Sequence, residues 1–220
     1  MMKKSIRIIS TILVLAMTSC MGSKLELTYN NQEGKIDSYL KTRMLVKKSY
    51  SRTDTLGFKL DTTALDNGTI QIDTSWITEK IDTSWTDTLN VVRSGGANRL
   101  VLKEGEGEEL QRNGFVSFYY AGYKFTGSFS AANLFVTNHQ ATAEQSGWNL
   151  TDADYQIYEI NLADAKLVQG LKDGLLGVKA GEECEILFSG KYGFGDEKFG
   201  IIPANSALLY KIWVVGVAND

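Results

Sequence analysis

Side chains of the kind that make or break bonds are scarce in this 220-residue chain, which has one histidine and two cysteines. His139 follows Thr137-Asn138 in a polar stretch. A metal centre needs three or four convergent ligands, and no second His or Cys lies near, so no metal site is expected. Cys184 sits in the run Glu183-Cys184-Glu185-Ile186-Leu187-Phe188. Alternation there puts it on one strand face with Ile186 and Phe188, the setting of a buried small hydrophobe rather than a reactive thiol. The chain offers no catalytic triad or paired carboxylates. That does not exclude an enzyme, because a barrier can also be lowered by desolvating a substrate and holding it in a strained shape.

Cys20 points to different chemistry. Lys3, Lys4 and Arg7 form a basic start, and residues 8–17 form an apolar stretch that runs into Met17-Thr18-Ser19-Cys20. About ten apolar residues are too few to cross a bilayer as a helix but suit an export signal. The junction resembles a bacterial lipobox, with Met17 where Leu is usual. That implies residues 1–20 as a lipoprotein signal, a diacylated Cys20 and anchoring to the membrane of the cell envelope, since two acyl chains suffice for stable attachment. An ordinary cleaved signal with an incidental cysteine is the alternative.

Bulk composition excludes some functions. Apolar residues at 43% and aromatics at 10% argue against wholesale disorder. The formal charge is −3, and residues 1–20 contribute three basic side chains and no acidic ones, leaving the remainder near −6. Glu104, Glu106, Glu108 and Glu109 cluster, no basic stripe offsets them, and such a surface repels phosphates. Nucleic acid is not an expected partner.

Three regions follow the signal. A short polar tether leads to Ile36, Tyr39, Leu40 and Met44, whose spacing predicts an amphipathic helix over about 32–46, with a face free to dock on the main domain or on a partner. In residues 50–92 the dipeptide Asp-Thr occurs five times and the pentapeptide Ile-Asp-Thr-Ser-Trp twice, at 72–76 and 81–85. Alternating Ile, Thr and Trp predict strands, with a hairpin turning through Thr78-Glu79-Lys80 and a separate turn at Asp66-Asn67-Gly68. These Thr-rich elements either decorate the domain or form a binding surface on Trp76 and Trp85. The run Arg93-Ser94-Gly95-Gly96-Ala97 reads as a linker that separates an N-terminal extension, 21–97, from a domain at 98–217. Beyond it strands are predicted at 99–103, 115–125, 155–161, 183–189 and 206–217, with one helix over about 168–176 and a polar loop at 139–154. That order implies an α+β fold, an antiparallel sheet curled around one short helix.

Residues 167–215 hold the most telling order of features. An apolar pair and a glycine-flanked turn at 167–177 precede a strand at 182–189. Lys191-Tyr192-Gly193-Phe194-Gly195, then Gly200-Ile201-Ile202-Pro203-Ala204-Asn205, and a last strand to Val215 follow. With residues 101–110, 116–127 and 134–138, this order resembles FKBP-type peptidyl-prolyl cis-trans isomerases over roughly 98–217. The resemblance implies catalysis by an apolar cup with no cofactor. It assigns the cup to Tyr120, Phe135, Tyr158, Leu167, Val168, Leu171, Phe194, Ile202 and Tyr210, with the Val168 N–H holding a substrate carbonyl. Proline-containing polypeptides are the implied partners. Four positions depart from the family pattern. Val136 stands for Asp, Leu171 for the Trp floor, Phe194 for Tyr and Ala204 for the second Pro. Each lost hydrogen bond is worth about 1 kcal/mol. The expectation is therefore a weakened isomerase or folding helper, or alternatively a non-catalytic module that binds peptides or proteins.

Overall fold

The computed structural model describes residues 2–64 and 70–219, with side chains from Gly22 onward except at Lys47, Lys48, Ser49, Asp61, Ala64, Ile70, Asp73 and Trp85. Its contacts divide the chain into two units, residues 45–88 and the remainder. In chain order the elements are α1 (Met2–Met44), β1 (Leu45–Ala64), β2 (Ile70–Thr88), β3 (Val91–Ser94), β4 (Ala97–Lys103) and β5 (Phe115–Lys124). Then come β6 (Leu134–Thr137), α2 (Gln140–Gln145), β7 (Tyr158–Asn161), α3 (Gln169–Leu175), β8 (Glu183–Phe188) and β9 (Leu208–Ala218).

The larger unit has an antiparallel sheet in the order β3-β4-β8-β9-β5-β6, with β7 also paired to β5. Strand alternation gives this sheet two apolar faces. On β8, Cys184, Ile186 and Phe188 belong to the cluster beneath α3, while Leu187 belongs to the cluster beneath α1. The amphipathic α+β arrangement expected around α3 is present, and α1 covers the opposite face through Ile36, Tyr39 and Leu40, each under one-tenth exposed. The helix therefore docks on its own domain. It also starts well before residue 32, so the stretch expected to be a polar tether is helical, and Tyr29 extends the buried stripe by two turns.

Polar ties set both helices in place. Buried Glu185 on β8 accepts from the Tyr39 hydroxyl at 2.8 Å and from Arg43 Nη2 at 3.2 Å, so its carboxylate is satisfied beneath α1. Under α3, Gly170 and Gly174 face Phe188 and Ile186 so closely that a Cβ at either position would collide with those side chains. The helix can lie that near the sheet only because these two residues lack one. Arg99 on β4 closes the far end. Its Nη1 donates to the carbonyls of Gly174 at 3.0 Å and Leu176 at 2.8 Å, and Nη2 to Gly177 at 3.1 Å. These carbonyls lie in the last turn of α3 and in the two residues just past it, where the helix leaves acceptors without a partner of its own. Arg99 Nε also lies 3.2 Å from Glu182 Oε1, a charge contact outside hydrogen-bond geometry. Burial pushes the Glu182 pKa up despite the neighbouring guanidinium.

Several sequence expectations need correction. Gly95-Gly96 is the tight turn between paired strands β3 and β4, so the expected linker lies inside the sheet and β3 already belongs to the domain. The predicted turn at Thr78-Glu79-Lys80 is continuous strand, because those residues pair with Thr55, Asp54 and Thr53 of β1. The two pentapeptide copies thus lie end to end in β2, not across from each other. The turn signal at Asp66-Asn67-Gly68 falls in 65–69, outside the described residues, as does the side chain of Cys20. The loop at 139–154 contains the short helix α2, and strand β7 begins at Tyr158 rather than 155.

The smaller unit is the single hairpin β1–β2, paired from Leu45 with Thr88 to Ala64 with Ile70 and shifted in register between Thr55 and Gly57. Phe58 lies opposite Trp76, their rings edge to face at 5.9 Å, and both are exposed. Within the larger unit, the chain leaves at Met44 and returns at Leu89, where Leu89 N–H donates to the Met44 carbonyl at 2.8 Å.

Replacing Arg99 with Met should destabilise the larger unit by about 3–5 kcal/mol, because Glu182 is then left buried without its partner. Chemical denaturation should also find Arg99→Met with Glu182→Gln more stable than Arg99→Met alone.

Candidate functional site

Seven of the nine site residues expected from sequence converge on one apolar cavity of about 300 Å³. Tyr120 comes from β5, Phe135 from β6 and Tyr158 from β7. Leu167 lies just before α3 and Leu171 on it. Phe194 comes from the loop after β8, and Tyr210 from β9. Val136, Phe118 and Phe199 complete the lining. The other two expected residues stand elsewhere. Ile202 is 1% exposed in the core beside the cavity, and its backbone is bridged to Phe199. Val168 is the N-cap of α3, and its carbonyl accepts the N–H groups of Leu171 and Lys172. Among the described residues its own N–H has no acceptor.

The walls are aromatic rings packed mostly edge to face. Phe135 meets Tyr210 at 5.9 Å and 89°, and Tyr158 meets Phe118 at 5.6 Å and Tyr120 at 5.8 Å. These geometries match the ring quadrupoles and are worth about 0.5–1.5 kcal/mol each beyond area burial. Phe194 and Phe199 instead stack nearly parallel at 4.5 Å. The only polar side-chain atoms on the lining residues are the hydroxyls of Tyr120, Tyr158 and Tyr210. Burial raises the Tyr210 pKa, with a further push from Tyr120, and burial likewise raises Tyr120, with Tyr158 adding to it. Tyr120 and Tyr210 are thus held protonated by burial, and their hydroxyls can donate to a bound carbonyl.

Asn138 positions this wall and was not foreseen. It is 4% exposed, its Oδ1 accepts the Tyr120 N–H at 2.6 Å, and its Nδ2 donates to the Gln156 carbonyl at 2.9 Å. One amide therefore ties β5 to the segment leading into β7. Thr137 Oγ1 donates to the Tyr120 carbonyl at 2.8 Å, so the two peptide groups flanking the Tyr120 Cα are both held from the end of β6. The signal available in the sequence was two polar residues immediately after an apolar strand end, where a buried Asx side chain commonly bonds backbone. Phe199 was missed because it lies among polar loop residues with no periodicity. His139 stacks on Trp213 at 3.9 Å and places Nδ1 2.9 Å from Thr142 Oγ1, away from the cavity.

Residues 107–215 match the family described as FKBP-type peptidyl-prolyl cis-trans isomerase. A 117-residue stretch is 25% identical to FK506-binding protein 1 of Aspergillus oryzae, covering 53% of this chain and 94% of that protein. Another of 70 residues is 33% identical to FK506-binding protein 1A of Neurospora crassa, covering 30% of this chain and 58% of that protein. Among solved structures, the N-terminal domain of FKBP42 from Arabidopsis thaliana aligns with 59% of this chain and 93% of its own, at 18% identity and a TM-score of 0.45.

The raised pKa values make alkaline stability a test of the cavity. A group whose folded-state pKa exceeds its unfolded value stabilises the fold fully below the ordinary tyrosine value of about 10 and loses that contribution as pH rises through the folded value. In an absorbance titration, Tyr120 and Tyr210 should stay protonated when exposed tyrosines ionise, then titrate on unfolding. Tyr120→Phe with Tyr210→Phe should move the alkaline unfolding midpoint to higher pH.

Proposed function

We infer that the chain is a peptidyl-prolyl cis-trans isomerase or folding helper, anchored in the cell envelope by lipid on Cys20 and acting on proline-containing polypeptides. The observation that carries this reading is the cavity itself: a ring-lined cup whose only polar side-chain groups are three hydroxyls, set in an FKBP-type domain. Rotation about an X–Pro bond faces a barrier of roughly 20 kcal/mol from amide resonance. The planar amide is more polar than the twisted one, so moving it from water into an apolar cup favours the twist. The free Val168 N–H can hold the carbonyl of a flanking residue, which fixes the peptide while the prolyl ring sits against Tyr120, Phe135 and Tyr210. Tyrosine hydroxyls can then donate to the carbonyl of the rotating bond.

The reading includes a dulled rate. Val136 offers the cavity no acceptor, Leu171 gives less apolar floor than an indole, and Phe194 has no hydroxyl, although it lines the cavity. Together these could cost on the order of 3 kcal/mol, about a hundred-fold, against enzymatic accelerations of about a million-fold or more. The same three side chains support a second reading, a non-catalytic module that holds prolyl segments.

Two measurements test these points. Full-length protein should accelerate isomerisation across a panel of Xaa-Pro peptides, and Phe194→Tyr should raise turnover several-fold, about 1 kcal/mol. A folded protein that binds the peptides at the uncatalysed rate supports the module instead. For the anchor, Cys20→Ala should abolish acyl labelling and move the protein out of the membrane fraction or leave the signal uncleaved.

A further inference from the structure

Helix α1 reaches the candidate site through its buried stripe. The segment between Gly190 and Asn205 carries the stacked pair Phe194 and Phe199, and its two ends meet at a neck where a Cβ on Gly190 would collide with the Asn205 backbone. Gln32 spans this neck with one side chain. Its Oε1 accepts the Gly190 N–H at 2.8 Å, and its Nε2 donates to the Asn205 carbonyl at 2.6 Å. One turn earlier the Tyr29 hydroxyl donates to Asn205 Oδ1 at 2.6 Å. Ser189 Oγ adds a bond to Glu33 Oε1 at 3.2 Å. Asn205 needs this support: its φ is 58°, in the left-handed region that Asn tolerates better than most residues. Neither Gln32 nor Tyr29 lines the cavity.

We propose that Gln32 and Tyr29 are positioning residues of the peptide site, which close the neck of 190–205 and thereby set how the Phe194–Phe199 pair stands over the cavity. The proposal rests on the peptide-site reading above. A loop with a closed neck has fewer conformations to lose when a peptide binds, and an ordering cost avoided appears directly as affinity. The bonds of Gln32 act on ground state and transition state alike, so losing them raises KM and leaves kcat nearly unchanged.

The full chain is compared with Gln32→Ala, Gln32→Glu and Tyr29→Phe for kcat and KM on an Xaa-Pro peptide, for affinity of the same peptide by NMR titration, and for amide exchange over 190–205. Gln32→Ala should raise both KM and the peptide Kd roughly five- to ten-fold, the worth of one or two hydrogen bonds, with kcat within about two-fold and faster exchange in the segment. Gln32→Glu keeps the acceptor for Gly190 but sets a carboxylate against the Asn205 carbonyl, so it should follow Ala. Tyr29→Phe should shift the same quantities less. A lowered melting temperature with KM, Kd and exchange unchanged would mean a purely structural contact and overturn the proposal. If the wild-type chain binds no prolyl peptide, the peptide-site reading fails and takes the affinity claim with it. Exchange in Gln32→Ala then reports on the neck alone, and an unchanged rate overturns that part too.

Discussion

The guanidinium of Arg99 joins three carbonyls at the end of α3 to the buried Glu182 carboxylate, and the cavity's floor depends on that junction. A seven-residue helix is too short to hold itself together in water, so its position must come from tertiary contacts. Arg99 supplies them at one end, and the close approach at Gly170 and Gly174 supplies them along its length. Leu171 and the Val168 N–H are fixed in consequence. A buried ion pair is not in itself good evidence of stability, because desolvation offsets much of the attraction. Here its weight lies in geometry, since planar guanidinium donors reach several carbonyls at once.

The sheet serves two helices that play different parts. Inward residues of β8 pack beneath α3, with Phe188 stacked on Tyr210 of the cavity wall, while Glu185 and Leu187 on the same strand point to α1. Period-two alternation therefore links a helix near the N-terminus to the walls of the cavity on the other face. The polar contact at Glu185 fixes which part of α1 lies over β8, and a slip along the helix would separate Tyr39 and Arg43 from the carboxylate together.

Much of the larger unit was legible because its signals are local. Strands 97–103, 115–124 and 183–188 announce themselves by alternation, and Cys184 could be assigned to a face by counting from Ile186. The side chains from α1 that dock on the sheet were half visible: Ile36, Tyr39 and Leu40 were read, but Tyr29 stood beyond the predicted start. Residues that act through loops left no periodic trace, which is why Phe199 and Asn138 were missed. The hairpin was misread for another reason. The two repeated pentapeptides looked like partners, yet both lie in β2, and their partner strand 45–64 carries no copy of the pentapeptide. That the rings would line a cavity was legible only through the order of motifs behind the resemblance, since rings at alternating strand positions are usually plain core.

The backbone bond between Leu89 and Met44 carries a consequence for the chain's history. Residues 45–88 begin and end at neighbouring points, so they form a cassette that can be exchanged without re-threading the host. The entropy of bringing a loop's ends together grows only with the logarithm of its length, by about 0.6 kcal/mol per doubling. Such a seam therefore sets only a weak limit on the length of chain carried between residues 44 and 89.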